Sequence, residues 1–273
     1  MDATGGTIVL PALPRRSAPR SWGASRAVTA LMLREMVTTY GRSPGGYVWA
    51  VHEPLAAITL LSFAFSLAFR APSLGVSFPM FYATGFLPFI MFLDAANKVA
   101  TSIRFSRPLL NFAALTWIDI LAARFLLNFF TQAFTACLVL GGLLLFLETR
   151  TIPAPNHIAA AVLSLAILCA GVGVLNTYLF LAYPAWERVW QVMTRPLFII
   201  SGVFFLFEDL PHEVRDFLWF NPLIHVVGEL RRGFYPTYPG SYVSLEYVLG
   251  IGLATGLLGL LLLQRTADGL IHK

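Results

Sequence analysis

Six apolar runs, each near or above the roughly 20 residues a helix needs to cross the hydrocarbon of a bilayer, alternate with short segments that carry most of the charge. Backbone amides in lipid must be satisfied within their own segment, so the runs read as helices and the chain as an all-α integral membrane protein. They lie at about 48–69, 78–97, 118–147, 158–183, 192–207 and 243–263, the last ending sharply at Gln264 and Arg265. With 57% hydrophobic and 12% charged residues in a chain of 273, little length remains for a globular domain.

Lysine and arginine set the orientation. With the N-terminus in the cytoplasm, 13 of the 19 basic residues fall on the cytoplasmic side, five fall outside, and Arg124 alone lies within a span. The positive-inside bias then places both termini in the cytoplasm. Residues 1–24 carry Pro11, Pro14 and Pro19 among Arg15, Arg16 and Arg20, without the apolar stretch and cleavage site of a secretory signal, and are expected to be a basic, disordered tail. Residues 25–265 form the membrane domain and 266–273 a cytoplasmic tail.

Ser25 caps an expected interfacial helix, 25–41, too short and too polar to cross. Thr29, Met32, Leu33, Met36, Val37 and Tyr40 form its apolar stripe, with Arg34, Glu35 and Thr38 opposite. Between the fifth and sixth runs, 208–240 holds Glu208, Asp209, Glu213, Arg215 and Asp216, followed by an apolar segment too short to span. Asn221 and Pro222 have the chemistry of an N-cap and first helical residue, restarting a helix to about Phe234. Two short helices that dip into the outer leaflet and return fit these lengths and charges.

Several function classes are excluded or left without support. The arginines behind the net charge of +5 are scattered between apolar runs, which suits orientation and lipid headgroups, not nucleic acid. Lys98 and Lys273 are the only lysines and neither sits in a phosphate loop, so the chain is not itself a P-loop ATPase. His212-Glu213 opens like a zinc-protease motif, but Asp216 stands where the second histidine belongs, and His52-Glu53 is equally alone; no metal site is expected. Cys137 and Cys169 sit in apolar runs, and no disulfide framework is expected. An intramembrane glycosyltransferase would need a carboxylate pair or a metal-ligand set, which does not present itself, and an ion-coupled transporter would need mid-depth acids, of which the spans offer few.

The cytoplasmic loop 98–117 mixes Arg104 and Arg107 with Phe105, Leu109, Leu110 and Phe112. It suits either docking into a partner's groove or resting on the bilayer with its arginines at lipid phosphates. Asp94 and Lys98, four apart, are expected to form a helical ion pair. Arg124, about one turn into its span, either snorkels to the surface or lines a pathway. Tyr47, Trp49, Phe81, Tyr82 and Phe86 fall near ends of the first two spans, where their rings could present flat faces to passing sugars.

The segment Tyr40-Gly41-Arg42-Ser43-Pro44-Gly45-Gly46-Tyr47-Val48-Trp49, with Glu53-Pro54-Leu55, resembles the lead into the first span of ABC-2 type permeases that export bacterial surface polysaccharides. Phe78-Pro79 and Gly85-Phe86-Leu87-Pro88-Phe89 resemble their second span, and Arg107-Pro108-Leu109-Leu110 their coupling loop. Phe220-Asn221-Pro222-Leu223-Ile224-His225, with Glu229, Arg231 and Phe234-Tyr235, is similar to the outer re-entrant region of the capsule-export branch. The resemblance covers about 25–265. It departs in the first 20 residues and at Gly45-Gly46, where a bulkier residue is usual.

This resemblance implies six spans, an N-terminal interfacial helix and short re-entrant helices on the periplasmic side. It also implies a non-enzymatic permease subunit of the bacterial inner membrane, paired with a second copy and two nucleotide-binding subunits that hold ATP and Mg. Arg104, Phe105, Arg107, Pro108, Leu109 and Leu110 would couple to those subunits; Arg42, Arg124 and the five aromatics would line the channel; and Asn221, Pro222, His225, Glu229 and Arg231 would belong to the re-entrant region. The implied cargo is a lipid-linked, typically acidic capsular polysaccharide, handed to a periplasmic export protein and an outer-membrane channel. O-antigen, teichoic acid or drug permeases of the same superfamily are the neighbouring alternatives.

Overall fold

A computed structural model describes residues 20–40, 46–109 and 115–271, with side chains placed for 25–38, 48–108 and 115–265; Arg42 and Leu110 lie outside the described residues. Every regular element in them is helical. The apolar runs near 48–69, 78–97, 118–147 and 158–183 become α2 (Gly46–Ala68), α3 (Phe78–Ala100), α5 (Trp117–Phe146) and α6 (Pro155–Ala182). The interfacial helix is α1 (Arg20–Tyr40), which starts five residues earlier than expected, inside the expected tail. The loop after α3 folds as α4 (Ser102–Ser106) and a 3-10 turn at Arg107–Leu109. Then come α7 (Pro184–Ile200), α8 (His212–Leu218), α9 (Pro222–Phe234) and α10 (Leu245–Ile271).

Five helices, α2, α3, α5, α6 and α10, are long and apolar enough to cross a membrane among the described residues. The run at 192–207 is not a sixth continuous helix. The helix there begins earlier, at Pro184, carries Glu187, Arg188 and Arg195, and stops at Ile200. Gly202 then takes φ +78° against Ile224 of α9, a left-handed conformation that ends the helix at little cost only because it has no Cβ. The last run, expected at 243–263, appears as the crossing stretch Leu245–Arg265, and α10 continues past it to Ile271 because the end of an apolar run does not itself break helical hydrogen bonding.

The central helix is α3. Of its most apolar stretch 67% is buried, against 17% for α2 and for α10, which therefore present most of their surface outward. The tightest pair is α6 with α10. Gly252 lies against Ile167, Gly171 against Gly252 and Gly256, and Gly259 against Val174 and Leu175. Both numbers rise together, so the two helices run parallel, their backbones nearly touching where side chains are missing.

Parallel neighbours oblige the intervening chain to travel back along the bundle. It does so beside α3, in the opposite direction to it: Trp190 donates to Asn97 (2.8 Å), Phe198 packs on Phe89 and Phe86, and Val203 lies over Gly85. The 17 residues of α7 cover about 25 Å at 1.5 Å per residue. Asn221, at the turn between α8 and α9, then donates to Ile200 O (3.0 Å) and Ser201 Oγ (3.2 Å), so α9 starts level with the end of α7. At the other end of α9, Gly233 O and Phe234 O accept from Ala154 N and Ile152 N ahead of α6.

Candidate functional site

The end of the bundle carrying α1 and α4 also holds the segment Arg104–Leu109. A reciprocal capping box starts α5: Thr116 accepts from Asp119 N (3.3 Å) while Asp119 accepts from Thr116 N (3.0 Å). That fixes the register of α5 and puts Arg124 about two turns in, only 5% exposed. Its Nε donates to Glu35 Oε1 of α1 at 2.8 Å, and its guanidinium lies 4.2 Å from the Phe105 ring centroid. Glu35, expected on the polar face of α1, is buried, while Leu33 and Val37 of the apolar stripe are exposed. The partner across the helix interface, invisible to a single-helix periodicity, determines which face turns inward.

On the opposite flank of α4, Arg104 Nη1 donates to Glu187 Oε2 of α7 (2.8 Å) and Nη2 to Phe180 O (3.4 Å). Phe105 is 53% exposed, Arg107 is half-buried and Pro108 is exposed. Leu109 closes the 3-10 turn, its side chain outside the described residues.

The aromatic residues grouped by sequence do not gather at one place: Phe81 and Tyr82 touch edge to face, 5.2 Å between centroids, but Trp49 lies apart from them. α2 and α3 run in opposite directions, so Trp49, near the start of α2, and Phe81, near the start of α3, lie at opposite ends of the bundle. Trp49 is exposed and touches His52 edge-on, whereas Phe81 and Tyr82 are core side chains and Phe86 packs against Phe198. Tyr47 lies in α2 with its side chain outside the described residues. Asp94 and Lys98 form no ion pair within 4.0 Å among the described residues; Asp94 accepts instead from Gln132 Nε2 of α5. A partner on the neighbouring helix displaces the local i,i+4 contact.

At the α9 end, each named polar residue has a defined task. Asn221 caps α9 by accepting from Leu223 N (3.0 Å), with Pro222 following as the first helical residue. His225 accepts from Ser244 N at Nδ1 (3.1 Å), which leaves Nε2–H to donate to Trp219 O (2.8 Å). That arrangement requires the neutral ring, and burial lowers the His225 pKa accordingly. Glu229 takes His157 at Oε1 (2.8 Å) and Arg232 at Oε2 (3.0 Å). Arg231 is wholly buried, donating to Phe205 O (2.9 Å) and Val203 O (3.4 Å) with its guanidinium 4.4 Å from the Phe81 ring centroid. The counter-residues Glu35, Glu187 and His157 carry no motif in the sequence; each is identified only by the helix that meets it.

The family model described as ABC-2 type transporter matches residues 26–235, from α1 through the end of α9. The chain belongs to the ABC-2 type transporter family. As an ABC-2 permease it is the non-catalytic, multi-pass transport subunit of its complex. It is 29% identical over 246 residues to the polysialic acid transport protein KpsM of Escherichia coli, covering 89% of this chain and 95% of that protein. Two capsule polysaccharide export inner-membrane proteins are similar over the same share. They are CtrC of Neisseria meningitidis serogroup A, 27% identical, and BexB of Haemophilus influenzae, 26% identical, each covered over 92% of its length. Both ends of the bundle described above, the α1–α4–α5 contact and the capped α9, fall inside the family match.

Proposed function

We propose that this chain is the membrane half of an ATP-driven exporter that moves lipid-linked capsular polysaccharide across the bacterial inner membrane. The observation that carries the reading is similarity over 89% of the chain to three proteins named for polysialic acid or capsule polysaccharide export. Two copies form the conduit, each served by a nucleotide-binding subunit that holds ATP and Mg, and a periplasmic export protein and outer-membrane channel receive the polymer. The outward surfaces of α2 and α10 leave room for a second copy and for lipid.

In this reading both termini are cytoplasmic, α7 with residues 201–206 makes a sixth crossing, and α8–α9 is a re-entrant hairpin on the periplasmic side. The parallel course of α6 and α10 supports the sixth crossing, and the contact of Asn221 with the end of α7 supports the hairpin. The segment Arg104 to Leu110 couples to the nucleotide-binding subunit, with Phe105 and Pro108 offering exposed apolar surface. Trp49 and Arg42 belong to the conduit near the cytoplasmic side.

The test is reconstitution of the chain with its ATPase subunit in liposomes. Lipid-linked acidic polysaccharide should cross the bilayer only with hydrolysable ATP and should raise ATP turnover. Stimulation by small hydrophobic drugs alone, or transport without any ATPase subunit, would overturn the proposal.

A further inference from the structure

The Arg124 guanidinium does two things at once. Its edge bonds Glu35 of α1 and its face covers Phe105 of α4, although Arg124 itself belongs to α5. α1 and α4 face each other across a narrow cleft lined by Glu35 and Thr38 on one side, Phe105 and Ser106 on the other, and Arg124 between. A planar guanidinium satisfies an edge-on carboxylate and a face-on ring together; neither a lysine nor an apolar residue does.

Stability alone is a weak reason for such a group. A buried ion pair loses most of its Coulomb gain to desolvation, and apolar replacements of equal volume are often no less stable. Arg124 Nη1 is moreover buried with no hydrogen-bond partner, a further cost that a packed aliphatic side chain does not incur. What the arrangement supplies is a fixed geometry among three helices. On its other side α4 is pinned to α7 by Arg104 and Glu187, a half-exposed and therefore weaker pair.

We infer that Arg124 is a positioning residue that latches α1 to α4, so that a displacement of α4 is delivered to α1 and, through the packing of α1 on α2, to α2. The inference rests on the exporter reading above and adds to it a specific route and a specific residue. Loss of the latch leaves the ATPase subunit bound and turning over, while the conduit no longer follows.

The experiment uses the full complex with Glu35→Gln, Arg124→Gln, and the exchanged pair Glu35→Arg with Arg124→Glu. Polymer export, ATP hydrolysis, co-purification of the ATPase subunit and membrane abundance are measured together. Each single variant should lose about tenfold in polymer exported per ATP hydrolysed, with co-purification retained, and the exchanged pair should recover part of that ratio. Should Arg124→Gln fail to insert, Arg124→Lys and Glu35→Asp take its place; the first keeps the charge and the second shortens the carboxylate arm, and both should show a smaller drop in the same ratio. An unchanged ratio in assembled variants overturns the inference. So does a parallel fall of export, hydrolysis and co-purification with no recovery in the exchanged pair, the signature of a merely structural contact. A wild-type complex that exports nothing with ATP defeats the exporter reading itself and is recognised before any variant is compared.

Discussion

Replacing Gly171 by alanine tests the parallel α6–α10 contact directly. A Cβ built there lies 1.9 Å from Gly252 O, 2.7 Å from Thr255 Oγ1 and 2.8 Å from Gly252 C, most of it backbone that cannot swing away. A carbon approaches a carbonyl oxygen to about 3.3 Å, so the helices must part locally by roughly 1.4 Å. Overpacking costs about 1–3 kcal/mol, and a gap of even 1 Å forfeits up to half of the dispersion attraction along the rest of the interface, which argues for the upper end. Alanine's better helix propensity returns about 1 kcal/mol, leaving a net loss of about 2 kcal/mol. Gly141 is the internal control, since a Cβ there meets nothing within 4 Å and only the propensity gain remains.

The two variants should therefore differ by about 3 kcal/mol, equivalent to roughly 6–12 °C in melting temperature for a fold of this size. Heating detergent-solubilised protein and following the surviving monodisperse fraction by size-exclusion chromatography reads that difference. Gly259→Ala, whose Cβ would lie 2.6 Å from Leu175 N, should fall with Gly171→Ala. If Gly171→Ala melts at or above Gly141→Ala, the two helices do not approach as described, and the argument that the intervening chain must return along the bundle loses its basis.

Asn221→Ala removes the cap of α9 together with two hydrogen bonds to the end of α7, and should cost about 2 kcal/mol, seen as faster proteolysis near α8 and a lower melting temperature; unchanged protease sensitivity would count against the hairpin. His225 has a lowered pKa because burial disfavours its charged form, so below its ordinary value of 6.5 the unfolded chain takes up the proton and the folded one resists. Stability is thus full above that value and falls on acidification, by at most about 1.4 kcal/mol per pH unit. Melting at pH 7.5 and 5.5 should show the loss in the native chain and a flatter dependence in His225→Gln, and equal slopes would refute it.

Local chemistry was enough for most of the helical frame. Long apolar runs force helices because lipid offers backbone amides no other partner, so α2, α3, α5 and α6 are legible from composition along the chain. Asn221-Pro222 marks the start of α9 because an N-cap and a proline at the first helical position are satisfied by neighbours in sequence. The family resemblance rested on the same kind of contiguous signal.

Tertiary contacts decided the rest. Glu35 turns inward because Arg124 waits 89 residues away on α5, and Asp94 abandons Lys98 for Gln132 across a helix interface. The 192–207 run divides because Gly202 must bend against Ile224, and Trp49 and Phe81 separate because antiparallel helices carry their starts to opposite ends. Sequence determines what each segment can satisfy within itself; partners that come from another helix depend on orientation and register, which only the packed bundle fixes.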